Sequence, residues 1–393
     1  MKKEKYELLA PAGDFPMLVA AVNAGADSIY FGLKEFSMRA NAKNFTIKDL
    51  EKINEICNKK NVKKYLTLNT IIYDKELRKI ENIIKKVKNK VDAIICWDFS
   101  VINLCRKYKI PFIISTQASV SNREAAMFYR NLGAIRVVLA RELNLKQIKE
   151  ISKIIEIECF CHGAMCVSES GRCFTSQFLF NKSANRGECL QPCRRSYFIK
   201  DEEGNELKLE NNRVMSAKDL CTLPFIEKMK KSGIKCFKIE GRNRDARYVD
   251  KTVRVYRKAL DKKLNEEEIK NGLEELEKVY NRGFTSGFYL KMPTSDDFAN
   301  KENNLSKETK IYIGKVLHYY DKINVASIRL VSDLKLNDRI IILGKETGII
   351  EMNVTSMQIN KREIPLGKKN QEIAIKTEFK LKKNDEVYKI IKK

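Results

Sequence analysis

From Tyr6 to Ile239 the chain repeats one unit, a short apolar segment followed by an amphipathic one, and this repeat constrains the fold more than any other feature. The apolar segments are Tyr6–Leu9, Ser28–Gly32, Tyr65–Asn69, Ala93–Trp97, Phe112–Thr116, Arg136–Ala140, Ile155–Phe160 and Cys236–Ile239. They are rich in β-branched and aromatic residues, as parallel strands covered on both faces must be. Between them lie helical stretches such as Phe15–Ala24 and Asp74–Asn89. Thr46 with Asp49, and Ser121 with Glu124, carry capping signals, while Gly25 and Gly133 stand where a helix should stop. Eight strands with intervening helices predict an α/β fold, a TIM-like (β/α)8 barrel. A doubly wound open sheet is the alternative, because a single sequence does not show closure.

A barrel predicts that chemistry follows the strand C-termini. Polar residues stand at those places: Asn69, Asp98, Gln117, Arg141 with Glu142, His162, and Glu240 with Arg242. Taken singly, each also fits a cap or turn, so the joint placement carries the argument. The seventh unit departs from the others. An insertion from about Gly163 to Ala217 replaces a short loop, and insertions of that length in compact domains are usually functional. Helices are expected at Asp245–Lys262 and Glu266–Tyr280. A polar linker over 293–308 then ends a domain spanning 1–292. From Lys310 the pattern changes to short alternating strands, including Ile311–Val316, Ile323–Arg329, Arg339–Leu343, Glu351–Met357 and Gln371–Ile375. Residues 309–393 are therefore expected to form a small antiparallel β-barrel.

Six of the 11 cysteines lie between Cys159 and Cys193. Cys166, Cys173, Cys189 and Cys193 are spaced C-x6-C-x15-C-x3-C, without the C-x2-C knuckles of a zinc ribbon. Thiolates from irregular loops suit an iron–sulfur cluster. Structural zinc and unligated thiols stay open on spacing alone. Arg172, Arg186, Arg194 and Arg195 stand close in sequence to offset negative charge. Cys57, Cys96, Cys105, Cys159, Cys161 and Cys236 read as small core residues, and Cys221 as a reserve ligand opening a helix.

Charge points to a partner. There are 76 Lys+Arg against 51 Asp+Glu, a formal net charge of +25. Such an excess attracts polyanions, RNA included, although a lysine-rich solvated surface would give the same count. With no apolar run of bilayer length and no signal-peptide core at the N-terminus, a cytoplasmic protein without a membrane partner is expected. Only two histidines occur, His162 and His318. HExxH, GxSxG and Walker motifs are absent, which removes the commonest hydrolase and nucleotide-binding readings.

Several longer motifs in order carry a resemblance. Glu7-Leu-Leu-Ala-Pro-Ala-Gly-Asp14, Gly25-Ala-Asp-Ser-Ile-Tyr-Phe-Gly32, the cysteine run, Phe237-Lys-Ile-Glu-Gly-Arg242 and Asn281-Arg-Gly-Phe284 resemble the collagenase-like peptidases, unclassified peptidase family 32. The resemblance covers residues 5 to about 290, and the C-terminal domain also looks like one that many members carry. It implies oxygen-independent hydroxylation: of the tRNA wobble uridine with prephenate required, of a cytidine in 23S rRNA, or of ubiquinone precursors. By position it implies a [4Fe–4S] cluster on Cys166, Cys173, Cys189 and Cys193. The intact Gln191-Pro192-Cys193 favours the RNA branches, and an end after one β-domain favours the tRNA branch. The expected partner is then a tRNA anticodon loop, with an electron donor or partner subunit. His162, Glu240 and Arg242 are the candidates for catalysis, the first two for proton transfer. Asn69, Gln117, Arg172 and Arg186 are the candidates for binding substrate. Arg172, Arg186 and Arg242 would suit the carboxylates of a donor. A true peptidase and a non-enzymatic RNA-binding protein are the competing readings.

Overall fold

In the computed structural model the described residues are 6–40, 42–169, 172–195, 197, 200–205, 215–299 and 304–393. The repeat folds in register with the sequence. β1 (Glu7–Ala12), α1 (Phe15–Ala24), β2 (Ser28–Gly32), α2 (Leu50–Asn58), β3 (Lys63–Thr67) and α3 (Leu77–Val87) form the first half. Then come β4 (Ala93–Cys96), α4 (Phe99–Tyr108), β5 (Phe112–Ile114), α5 (Arg123–Asn131), β6 (Arg136–Val138), α6 (Leu145–Ile151) and β7 (Ile157–Gly163). The insertion contributes α7 (Thr175–Phe180) and β8 (Asp219–Cys221), followed by α8 (Ile226–Lys231), β9 (Cys236–Ile239), α9 (Ala246–Asp261), α10 (Glu266–Glu277) and β10 (Phe284–Thr285).

Strands β1 to β7 pair in chain order and all in parallel, and β9 pairs in parallel with both β7 and β1. The eight-stranded barrel is thus closed, which excludes the open-sheet alternative. All eight barrel strands coincide with the expected segments, because burial on both faces writes an uninterrupted apolar run. The short β8 and β10 were not expected. β8 runs antiparallel to the end of β7, and β10 pairs with β8, so the insertion extends the sheet above the barrel.

Local signals hold in most places. Asp49 closes a capping box on Thr46, and Gly25 ends α1 with a left-handed φ of 97°. The cap before α5 is Asn122, whose side chain accepts from the Ala125 amide at 2.8 Å, rather than the expected Ser121. Cys221 lies on β8 rather than opening a helix, and is buried against the Tyr256 hydroxyl. Burial pushes its thiol up to about 11, and it stands outside the pocket at the barrel mouth that Cys166, Cys189 and Cys193 line.

The C-terminal domain is antiparallel throughout. β11 (Glu308–Tyr320), β12 (Val325–Leu330), β13 (Leu334–Lys335), β14 (Arg339–Gly344), β15 (Gly348–Asn353), β16 (Met357–Ile359), β17 (Arg362–Glu363), β18 (Leu366–Gly367), β19 (Glu372–Lys376) and β20 (Glu386–Lys392) build it. The larger sheet runs β15-β14-β20-β11-β12-β19-β16-β17, around its own apolar core. Its central β20 was not expected, since its lysines blur the apolar alternation. The segment expected to be a linker is tied down: Ala299 donates to the Ser216 carbonyl, and Leu305 to the Asn281 carbonyl. β15 packs on α1, where a Cβ at Gly348 would meet Val19 at 2.6 Å. Buried Glu308 binds Arg247 of α9 and Arg339 of β14.

Candidate functional site at the barrel mouth

Strand C-termini gather at one end, and the insertion folds over them. The pocket between is lined by Asn69, Gln117, Glu240 and Arg242 from the barrel and by Cys166, Cys189 and Cys193 from the insertion. Four of the seven residues proposed from sequence for catalysis or substrate binding therefore meet in one place. Asn69 is anchored by Met38, whose amide donates to its side chain at 3.1 Å. Gly187 makes room for the closure: a Cβ there would lie 2.6 Å from the Ser37 carbonyl oxygen, and its φ is 91°.

The cysteines are neighbours. Burial pushes the Cys193 thiol up, and Cys166, Cys189 and Cys173 add to the shift against the opposing Arg194. At Cys173 burial also acts upward, but hydrogen bonds from Thr175 and Ser168 outweigh it and lower the thiol. The Thr175 amide donates to its Sγ at 3.4 Å, and the Gln191 amide to Cys189 Sγ at 3.4 Å. Amide donors of this kind stabilise thiolate. Among the described residues no three His, Cys, Asp or Glu side chains converge on a single-ion position.

Four arginines and one lysine line the pocket, against the single carboxylate of Glu240. Arg39 binds Glu240 at 3.1 Å. Arg141 lies over the Phe160 ring at 3.7 Å and donates to the Ala164 carbonyl at 2.8 Å. Arg242 donates to Ser37 at 2.7 Å and Thr67 at 3.0 Å. Its seat exists because residue 32 is glycine; a Cβ there would meet Arg242 Nη1 at 2.2 Å. Lys238 sits above Tyr30 at 4.5 Å and binds the fully buried Glu158 at 2.7 Å. Burial pushes Glu240 up, but Arg39, Arg141, Arg242 and Lys238 outweigh it and hold the carboxyl at about 2. Glu240 is thus a fixed anion and a weak base near neutral pH, which argues against the proton-transfer role expected of it. Burial, with Arg39 adding, brings Arg242 down to about 10 against Tyr30 and Glu240.

Three expected residues lie elsewhere. His162 is buried outside the pocket among Tyr248, Tyr256 and Phe284. Burial, then Arg244, holds it neutral down to about 3. The cause is local: between Phe160 and His162, β7 gains one residue against β9, and this bulge breaks the alternation that keeps Glu158 and Phe160 facing inward. Arg186 is spent on a two-pronged pair with Glu76 and a bond to the Ile71 carbonyl, so it is not free for substrate carboxylates. Arg172 stacks on Trp97 at 4.8 Å, at the rim rather than inside. Arg39 was missed because its partner Glu240 is 201 residues away. Lys238 was missed because it sits mid-strand, where the apolar run hides it.

The fold and the pocket define a (β/α)8-barrel protein with a cysteine- and arginine-lined site at the strand C-termini. Residues 13–298 match the profile of peptidase family U32, and the chain belongs to that family. It is similar to an uncharacterized protease of Methanocaldococcus jannaschii, at 41% identity over 97% of each chain. It is 39% identical to a collagenase of Porphyromonas gingivalis over 100% of both chains. Tying the family to RNA is tRNA hydroxylation protein P1 of Bacillus subtilis, at 36% identity over 87% of this chain and 84% of the relative. No helix among the described residues is long and apolar enough to cross a membrane.

Proposed function

We propose that this protein is an RNA hydroxylase that converts a tRNA wobble uridine to 5-hydroxyuridine, with a [4Fe–4S] cluster held by Cys166, Cys173, Cys189 and Cys193. The observation that carries the reading is the pocket, which joins Cys166, Cys189 and Cys193, with Cys173 close behind them, to a surplus of cations in a chain 36% identical to a tRNA hydroxylation protein. The donor set fits the cluster. Four neighbouring thiols, two of them with amide donors and not converging on a single-ion position among the described residues, suit a group in which each thiolate holds a different iron. Such a cluster supplies one-electron chemistry or a binding site for an anionic oxygen ligand.

The chain's own residues would do the rest. Arg39, Arg141 and Arg242 would bind the carboxylates of a co-substrate such as prephenate, since guanidinium forks match carboxylates. Arg172 and Arg186 drop out of that role. Asn69 and Gln117 offer amide groups to a base extruded from an anticodon loop. A peptidase would need an activated nucleophile. His162 is buried against Tyr256, and His318 stands exposed on β11, so neither serves the pocket.

The test is nucleoside analysis of tRNA from a deletion strain, complemented with the intact gene. Loss of 5-hydroxyuridine derivatives and their return on complementation is expected. Unchanged levels, in a strain without a second family member, would overturn the reading. Anaerobic purification with iron and sulfide analysis tests the cluster separately.

A further inference from the structure

The insertion carries more aromatic surface than its folding needs. Phe174 is 63% exposed and Phe178 82%, with ring centroids 6.0 Å apart at α7. Phe99 at the start of α4, two residues after Trp97, is 58% exposed. Single exposed rings are ordinary, but rings grouped side by side, as Phe174 and Phe178 are, mark an interaction surface. These rings are continuous with the pocket. Leu190, beside Cys189, donates its amide to Ser176 of α7 at 3.1 Å, and Cys173 donates its amide to Asn185 at 3.2 Å. Trp97 donates its indole N–H to the Asn69 carbonyl at 2.9 Å, so it stands at the pocket edge.

Guanidinium groups alternate with the rings. Arg172 lies over Trp97 at 4.8 Å, and Arg195 over Phe180 at 4.7 Å. From Gly163 to Tyr197 there are five Lys and Arg against two Glu. Interleaved rings and arginines are the composition with which proteins hold unpaired bases, the rings stacking on bases and the cations meeting phosphates. A membrane-surface helix would segregate its charges to one face instead.

We propose that Phe174, Phe178, Trp97 and Phe99, with Arg172 and Arg195 among them, form a stacking platform for the unpaired bases of an RNA loop and lead one base into the pocket. This rests on the RNA reading above and adds where the flanking nucleotides lie. No covalent step is involved.

The test uses the full chain and an RNA hairpin with an anticodon-sized loop containing 2-aminopurine, compared with a blunt duplex of the same length. The parent should bind the hairpin more tightly and quench the analogue. The Phe174→Ala/Phe178→Ala variant should bind the hairpin roughly 10- to 100-fold more weakly, with the salt dependence unchanged because no phosphate contact is lost. Phe174→Tyr/Phe178→Tyr should restore binding and quenching. Both rings are exposed, and matching thermal unfolding curves confirm that the fold is kept. Equal hairpin binding by parent and alanine variant overturns the platform while leaving the RNA reading standing. A parent that binds no RNA overturns both. Ring-dependent binding to phosphatidylserine vesicles, or ring-dependent self-association without an RNA effect, overturns the platform in favour of a membrane or protein surface.

Discussion

At the lower end of the barrel, where the strands begin, buried cations and carboxylates are matched; at the mouth the cations outnumber the carboxylates. Below, Arg136 binds Glu7 at 2.9 Å, Glu156 at 2.5 Å and Glu158 at 3.5 Å, and Lys63 also reaches Glu7. Lys238 closes the series on Glu158. Above, Arg39, Arg141 and Arg242 share the one carboxylate of Glu240. Barrel interiors are usually filled by branched apolar layers. A matched network can replace such a layer and stay folded. A set of cations that outnumbers its carboxylates repels itself and gains from thiolate charge or an incoming anion. The lower network therefore reads as architecture and the mouth as a binding site, with Lys238 touching both.

The comparison can be broken most directly at the cysteines. Cys166→Ala/Cys189→Ala should abolish stoichiometric iron and sulfide and lower tRNA hydroxylation by on the order of 100-fold or more; full activity in the double variant would remove the cluster from the mechanism. At the other end, Arg136→Met leaves Glu158 and Glu7 without their shared partner and should cost about 3–5 kcal/mol in urea unfolding. A loss below about 1 kcal/mol would show that the lower network is not what holds that end together.

Acid sharpens the same contrast. Burial pushes the Glu7 carboxyl up, but Arg136, Lys63 and Ser28 outweigh it and hold it at about 2, below its ordinary 4.5. Its contribution is complete above about pH 4.5 and is lost as pH falls through about 2. That contribution is on the order of 2–3 kcal/mol. Glu7→Gln should flatten this limb of the stability–pH curve, and an unchanged limb would refute the assignment. The smallest stability effect is expected at the mouth. Arg39→Gln should change unfolding free energy by less than about 1 kcal/mol, its pair being partly solvated. Its apparent substrate affinity should still fall about 10-fold. Equal losses in stability and affinity would erase the distinction between the two ends.

How much could be read in advance follows from how each feature is encoded. Barrel strands were legible because each writes its burial into a few consecutive residues. β8 and β10 are too short to leave a pattern. Asn69, Gln117, Glu240 and Arg242 were legible through one rule, that side chains just past parallel strands converge. His162 obeyed the same rule and failed it, because a one-residue bulge turned its ring into the packing around α9. Arg186 looked free in sequence and is held by Glu76, 110 residues away.

By itself, then, the sequence determined the strand–helix order, the burial of the barrel strands, the grouping of the cysteines and the surplus of positive charge. These are local or compositional properties, set by neighbouring residues or by counting. Only the tertiary structure decided that the barrel closes, that Arg39 and Lys238 belong to the pocket, that His162 and Arg186 do not, and that the rings of α7 stand beside its entrance. Those depend on contacts between distant residues, and on single-residue shifts of register that no local pattern records.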